Sequence, residues 1–155
     1  HEDVEAALYE MADNELLSVR EHEIGEFLVG RQVGDAWNDM LLAVSGSPAE
    51  LMARAVRDLA ADCLRTLPAI LENRREKSLH FYVGNLGGMR KAIFPSIEQR
   101  YREWLDSGDA GGLQALVEQG QEHWLSLAHR MCELHAHDAD ATAANIKRLV
   151  ESAHL

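Results

Sequence analysis

The sequence has few of the features that mark membrane or secreted proteins. Among its 155 residues the longest uninterrupted apolar run is Met40–Val44, whereas a transmembrane helix needs about 20 apolar residues. No signal peptide or lipidation motif opens the chain. The two cysteines, Cys63 and Cys132, lack the spacing of a metal site. We therefore expect buried thiols in a reducing compartment, a cytoplasmic location and no disulfide framework.

Basic residues are also scarce, above all in the first third of the chain. The formal net charge is −11, from 26 acidic and 15 basic residues. Residues 1–50 hold twelve acidic residues but only two basic ones, Arg20 and Arg31. Proteins that bind nucleic acid present a positive surface, so we expect no direct DNA binding by this chain. The first residue is His1 rather than Met, which indicates a fragment or a processed chain.

Strand signals are nearly absent, because the chain has no Asn-Gly or Asp-Gly hairpin and no sustained alternation of apolar and polar residues. Apolar residues instead recur at three- and four-residue steps. We predict one all-α domain over residues 1–155, an antiparallel bundle of six to seven helices. A chain of this length buries roughly two-thirds of its unfolded surface.

Several helix boundaries follow from local signals. We predict a short first helix over residues 4–12 and a second over residues 21–44. Ser47 as N-cap, Pro48 at the first position and Glu50 in a capping box start the third helix. That helix is predicted to carry inward Leu51, Ala55, Val56, Leu59, Cys63, Leu67 and Leu71. Pro68 should kink or end it. A fourth helix is predicted over residues 78–94, Asp109 should cap a later one, and a final helix begins near Asp138.

Familiar catalytic patterns are missing. The chain has no Gly-x-Ser-x-Gly elbow and no His-Glu-x-x-His motif, and the Gly-rich segment 84–88 lacks the Lys-Ser/Thr ending of a phosphate loop. We therefore expect no catalytic residue and no enzyme activity. Of eight histidines, only Glu151-x-x-His154 has the spacing of a di-iron bundle motif. The pair His135 and His137 lies in a predicted turn, where it could bind metal adventitiously.

Two segments carry a family resemblance that extends over roughly residues 5–134. They are residues 37–48, WNDMLLAVSGSP, and residues 97–109, IEQRYREWLDSGD. Both resemble the C-terminal effector-binding (FCD) domain of GntR-type bacterial transcription regulators, FadR subfamily. The resemblance implies a helical bundle with a central ligand cavity, which binds small organic acids, often through a divalent metal, or fatty acyl-CoA without a metal. It also implies a homodimer that reaches operator DNA through an N-terminal winged helix-turn-helix domain, which is not within these residues.

The metal ligands of that family, one Asp and three His, are carried over onto Gly34, Asn38, Glu98 and Gly120. None of these positions keeps an Asp or His, so we expect no resident metal or other cofactor, although Glu98 and Asn38 could bind a hard cation weakly. Glycine at positions 34 and 120 favours either a roomier, less polar cavity or close helix packing without a specific ligand. Both readings remain open from the sequence.

The candidate ligand-binding residues are Arg31, Gly34, Asn38, Glu98, Tyr101, Val117, Gly120, His123 and Trp124. Arg31 would bind a carboxylate, a thioester carbonyl or a phosphate; alternatively it forms a surface ion pair with Asp35. Trp37, Trp104 and Trp124 are expected in the core, and Trp124 is the one best placed to touch a ligand.

Three functions are consistent with these observations. The first is the ligand-sensing and dimerisation domain of a GntR/FadR-type regulator, with a small organic acid or acyl-CoA as effector and no membrane partner. The second is a metal-binding helical-bundle protein or enzyme that uses His and carboxylate ligands. The third is a structural interaction domain that binds no ligand.

Overall fold

The computed structural model describes residues 2–155, so His1 lies outside the described residues. The helical elements, in chain order, are α1 (Glu2–Val33), α2 (Asp35–Ala43), α3 (Pro48–Ala61), a π-helical turn (Asp62–Thr66), α4 (Leu67–Glu72), α5 (Glu76–Asn85), α6 (Gly88–Ile93), α7 (Pro95–Ser107), α8 (Gly111–His137) and α9 (Thr142–Glu151). Because α3, the π-helical turn and α4 run on without a break, they form one helix, and residues 2–155 contain eight helices and no strand. The predicted all-α bundle is confirmed.

The two central elements are α3 and α8, which pack against each other and against most of their neighbours. Helices α1 and α9 cover α3, and α7 covers α8. Their shared core is filled by large side chains that are fully buried, among them Trp124, Phe94, Leu59 and Met131. Both cysteines are buried and free, as predicted.

Helix α1 differs from the prediction, since one helix of 32 residues replaces a short helix and the first part of a second. No Gly or Pro interrupts residues 2–24, so nothing in the backbone stops the helix there. It ends before Gly34, whose φ of 64° is left-handed, and α2 starts directly after it. A similar break at Gly87 and Gly88 splits the predicted fourth helix into α5 and α6.

The buried stripe of α3 is shifted from the predicted one. Leu51, which we expected inside, is 61% exposed, whereas Met52 and Ala53 are buried. Phe27 on α1, part of the apolar pattern of the helix predicted over residues 21–44, is likewise 63% exposed. In both places an apolar stripe in the sequence is wider than the surface that the neighbouring helix covers, so its edge stays in solvent.

The predicted start of α3 is correct, but its hydrogen bonds are not those of a capping box. Pro48 is the first helical residue, as expected. The Ser47 hydroxyl donates to the Val44 carbonyl at 2.6 Å, and a Glu50 carboxylate oxygen accepts from the Gly46 N–H at 2.7 Å. Glu50 therefore accepts from the residue before the N-cap, whereas a capping box would use the N–H of Ser47 itself. Its hydrogen bond stabilises the turn that precedes α3.

A close crossing of α1 and α3 positions the polar residues described below. A Cβ atom on Gly25 of α1 would lie 2.6 Å from the backbone oxygen of Ala61, the last residue of α3. No side chain fits at that distance, because the opposing atom is backbone and cannot rotate away. Glycine at this position lets the two helices approach until side chains on their adjacent turns meet.

Candidate functional site

A cleft of about 370 Å³ opens between α1, the π-helical turn, α5 and α6. Its walls are partly apolar, with Val19, Phe81 and Leu86 among the lining residues. The polar lining side chains include His22, Asp62, Thr66, Ser78, Tyr82 and Arg90. An apolar cleft with a few convergent polar groups is the usual form of a small-molecule site.

Asp62 provides the charged floor of this cleft and is only 2% exposed. Its Oδ1 atom accepts hydrogen bonds from His22 Nδ1 at 2.8 Å and from the Thr66 hydroxyl at 3.0 Å. Its Oδ2 atom accepts from the Tyr82 hydroxyl at 2.9 Å. A buried carboxylate is tolerated only when it is paired and hydrogen-bonded, and these three donors, from three different elements, satisfy that condition.

Arg90 on α6 is the more loosely held partner of Asp62. Its Nη1 atom lies 3.5 Å from Asp62 Oδ2, a distance longer than a good hydrogen bond. Since Asp62 already has three donors, the Arg90 guanidinium keeps capacity for a further acceptor.

His22 and Tyr82 respond to the buried carboxylate in different ways. The hydrogen bond to Asp62 raises the pKa of the His22 imidazole, although burial acts in the opposite direction, and the charges of Asp62, Asp58 and Glu26 add to the rise. Burial, and next the charge of Asp62, raise the pKa of the Tyr82 phenol well above its usual value. Tyr82 therefore stays a hydrogen-bond donor at neutral pH.

Ser78 lines the same cleft and is 1% exposed. Its hydroxyl oxygen has no hydrogen-bond partner among residues 2–155. Buried hydroxyls nearly always have a partner, since leaving one unpaired costs free energy. An unpaired hydroxyl at the wall of a cleft is a candidate partner for a molecule that enters that cleft.

A second group of polar atoms lies at the edge of the cleft, where α1 crosses α3. His22, Glu26 and Asp58 each offer one possible metal-ligand atom, and these three atoms lie within 4.8 Å of one another. Burial raises the pKa of the Asp58 carboxyl, and the positive charges of Arg90 and His22 oppose that rise. These residues are the ones in the described part of the chain that could hold a metal ion.

Three of the sequence-predicted site residues lie away from this cleft, near the junction of α1 and α2. Arg31, Gly34 and Asn38 are all exposed. The ion pairs within residues 2–155 do not include one between Arg31 and Asp35. The helix break at Gly34 removes the regular i,i+4 geometry on which that pair would depend.

Glu98 and Tyr101 are brought together in another cleft, of about 330 Å³, along α5 and α7. The Tyr101 hydroxyl lies 2.6 Å from His80 Nδ1. Hydrogen bonding and charge from Lys91, with further help from Arg102, lower the pKa of the Glu98 carboxyl. Because these local partners already occupy Glu98, it has less capacity for the weak cation binding that we expected of its carboxylate.

Val117, Gly120, His123 and Trp124 all lie on α8 and take part in packing. A Cβ atom on Gly120 would lie 2.6 Å from Cys63 Sγ, so this glycine serves close packing and does not enlarge a cavity. His123 Nε2 lies 2.7 Å from the Ala153 carbonyl, and Trp124 is fully buried against Phe94. Of the two readings of Gly120, close packing is the one that its contacts support.

The family model for the C-terminal domain of a family of unknown function, DUF6866, matches residues 1–153. The chain belongs to this family. No curated protein and no solved structure matches it. Within residues 2–155 of this DUF6866 C-terminal domain, no helix combines the length and the apolar character needed to cross a membrane.

Sequence reasoning missed the residues that form the cleft of the DUF6866 C-terminal domain. The sequence does indicate two local pairs. His22 and Glu26 are spaced i,i+4 and so share a helix face, and the same holds for Asp58 and Asp62. Nothing local connects those two pairs with each other or with Tyr82 and the residues of α6. These residues come together because of the way α1, α3, α5 and α6 cross, and no short sequence motif predicts that crossing.

Proposed function

We propose that this domain is a ligand-binding sensor domain whose effector occupies the cleft between α1, the π-helical turn, α5 and α6. The observation that carries the proposal is the Ser78 hydroxyl. Four buried side-chain nitrogen or oxygen atoms of residues 2–155 lack a partner, and Ser78 Oγ is the one that lines this cleft. A bound molecule would supply the missing hydrogen bond.

The dimensions of the cleft favour a small effector. A volume of about 370 Å³ is near the lower end of the roughly 300–1,000 Å³ typical of ligand sites. It suits a small organic acid, whereas an acyl-CoA, with its nucleotide, its pantetheine arm and its acyl chain, is far larger. Of the two effector classes that the resemblance to FCD domains implies, we propose the small organic acid.

The charges of the cleft narrow the chemistry of that acid. Arg90 is loosely held by Asp62, and a guanidinium group binds carboxylates in a directional, charge-assisted way. Glu15 and Glu23 also line the cleft, and acidic side chains accept hydrogen bonds. We therefore propose a carboxylic acid that also carries a hydroxyl or amino group, with its carboxylate on Arg90 and its donor group toward the glutamates.

The biological setting is the one implied by the FCD resemblance. We propose a bacterial, cytoplasmic transcription regulator of the GntR/FadR type, in which this domain also forms a homodimer and contacts DNA only through a separate domain. The domain would bind its effector without chemical change. Its output would be a coupling free energy between effector and operator sites, typically about 1–3 kcal/mol.

The test is calorimetric titration of the purified chain with a panel of small hydroxy acids, amino acids and plain carboxylates. The variant Arg90→Gln should weaken binding of the active compound about tenfold or more, because a hydrogen bond to a charged group contributes roughly 1.5–3 kcal/mol. The matched control is Arg148→Gln, since Arg148 is exposed on α9 and its side chain donates a hydrogen bond to Asn145, far from the cleft residues in sequence. The Arg148→Gln chain should bind the active compound as tightly as the parent chain does.

A second variant separates binding from stability. Ser78→Ala removes a hydroxyl that has no partner, so the free domain should unfold at the same temperature or a higher one, while effector affinity falls. Failure of every compound in the panel to bind, or equal binding by the parent, Arg90→Gln and Ser78→Ala chains, would overturn the proposed site.

A further inference from the structure

We infer that His22, Glu26 and Asp58 form a binding site for one divalent transition-metal ion, of the zinc or manganese class, where α1 crosses α3. This site goes beyond the proposed effector and does not depend on it. It also uses none of the positions 34, 38, 98 and 120 to which the family resemblance carries metal ligands. Three observations of the described residues support it: the spacing of the ligand atoms, the orientation of His22, and the local charge.

The ligand atoms come from two helices and converge. His22 and Glu26 are one turn apart on α1, and Asp58 projects from α3, with the three ligand atoms within 4.8 Å of one another. Ligands bound at about 2.1 Å from one ion lie roughly 3.4–4.2 Å apart. The three atoms are thus close enough to converge on one ion after side-chain adjustments of about 1 Å or less.

Asp62 orients the His22 ring for this task. Because Nδ1 donates to Asp62 Oδ1 at 2.8 Å, Nε2 is the nitrogen left for a metal. Histidines that bind metals usually donate their other ring N–H to a carboxylate or carbonyl in this way, which fixes the tautomer and strengthens the ligand. Asp62 is itself held by Tyr82 and Thr66, so the orienting group is rigid before any ion arrives.

The backbone sets the distance between the two helices. At Gly25, one residue before Glu26, a Cβ atom would meet the Ala61 carbonyl oxygen at 2.6 Å. This contact keeps the facing turns of α1 and α3 close, so the approach of the ligand-bearing side chains follows from the main chain. A site built on rigid helices in this way keeps its geometry better than one carried by loops.

The charge of the crossing favours a cation. Glu26, Asp58 and Asp62 contribute three carboxylates, and the positive groups beside them are Arg57, 3.7 Å from Glu26, and Arg90, 3.5 Å from Asp62. The three carboxylates therefore outnumber the two guanidinium groups beside them by one.

The ligand types indicate the class of ion. One imidazole and two carboxylates suit zinc, manganese or ferrous iron, whereas calcium and magnesium prefer ligand sets made only of oxygen. Three protein ligands leave at least one coordination position for water.

The test uses the full chain after treatment with a chelator. Calorimetry and native mass spectrometry with Zn²⁺ and with Mn²⁺ should give one tightly bound ion per chain for at least one of the two metals. Glu26→Gln and Asp58→Asn, which preserve side-chain shape, should each weaken binding at least tenfold. Tyr82→Phe, which loosens the orienting Asp62, should weaken it by about 10- to 100-fold, the usual effect of losing an outer-shell partner.

Two matched controls make the same change of charge elsewhere. Glu5→Gln alters an exposed residue of α1, and Asp106→Asn an exposed residue of α7; both should bind the ion as the parent does. If Asp58→Asn fails to fold, as judged by circular dichroism, Glu26→Gln still decides the matter, because the Glu26 side chain is partly exposed. Absence of a bound ion, equal affinity of all variants, or loss of the ion only in His137→Gln would each overturn the site.

Discussion

At the scale of single residues, Gly120 has a steric role that can be tested directly. Its missing Cβ would lie 2.6 Å from the sulfur of Cys63, which is fully buried. Gly120→Ala should therefore destabilise the domain by about 1–3 kcal/mol, the usual cost of overpacking a core. Urea unfolding measured by circular dichroism gives the free-energy difference.

The control for this prediction is Gly30→Ala on α1. Nothing lies within 4 Å of a Cβ atom at that position, so the change should be neutral or stabilise the domain by up to about 1 kcal/mol through helix propensity. If the two alanine variants had the same stability, packing against Cys63 would not be the reason for glycine at position 120.

The two thiols allow a second prediction at this scale. Burial raises the pKa of the Cys63 thiol far above its ordinary range, and burial also raises that of Cys132. Because the thiolate is the reactive species, neither cysteine should react rapidly with a disulfide reagent in the native domain, and Cys63 should react more slowly. Labelling rates of Cys63→Ser and Cys132→Ser, with and without urea, measure this difference. Rapid native labelling of Cys63 would contradict its burial.

At the scale of helices, Asp109 was predicted to cap α8, but Ala110 holds the N-cap position and Asp109 lies one residue before it. The Asp109 carboxylate accepts a hydrogen bond from the N–H of Gly111, the first residue of α8, at 2.8 Å. Asp109→Ala should cost about 1 kcal/mol of stability, as losses of side chains that satisfy helix N-terminal donors do. Asp106→Ala, also exposed and one residue before the end of α7, is the control and should change stability little. If thermal unfolding showed an equal loss of stability for the two variants, the Asp109 side chain would not stabilise the start of α8.

The π-helical turn was not predicted, although Pro68, two residues after it, indicated an irregularity in this helix. We expected Pro68 to kink or end the helix. The helix does not end there but continues to Glu72, and the wider turn Asp62–Thr66 lies just before Leu67 and Pro68. Pro68 has no N–H for the carbonyl four residues earlier, and a π turn is one way to accommodate such a gap. This turn carries Asp62, so the irregular element coincides with the floor of the cleft.

At the scale of the whole molecule, the first half of α1 is the most exposed element. Every residue from 3 to 13 is exposed, and apolar side chains are among them, with Leu8 59% and Tyr9 74% exposed; Leu16, further along, is 68% exposed. Exposed apolar surface of this kind is typical of interfaces. This surface is the one that we expect a second copy of the chain to cover in the proposed homodimer.

The dimer prediction is tested by light scattering during size-exclusion chromatography across a range of concentrations. Leu8→Glu and Leu16→Glu should shift the equilibrium toward the monomer without lowering its unfolding temperature, because neither side chain is buried within one chain. Leu51→Glu, 61% exposed on α3, is the matched control and should leave the dimer intact. A parent chain that is monomeric at every concentration would remove this surface as a self-interface.

Part of the fold could be predicted because it depends on local physics. Helix formers, three- to four-residue apolar steps and the absence of hairpin signals indicate an all-α bundle, and Pro48 marks a helix start that the structure keeps. The predicted split of α1 was wrong, because a change in residue pattern was taken for a helix end. The FCD resemblance and the dimer remain predictions.

By itself, the sequence determined the helical class, a few helix boundaries such as the start of α3 at Pro48, and the burial of residues such as Leu59, Trp37 and both cysteines. Only the tertiary structure decided where the polar residues meet. The partners of Asp62 are separated from it by 40 residues at His22 and by 20 at Tyr82. Helix periodicity specifies which residues share a face of one helix, whereas the crossing of two helices depends on packing along their whole contact. Gly25 is an example, since a side chain at this position would collide with the carbonyl oxygen of Ala61, 36 residues later in the chain.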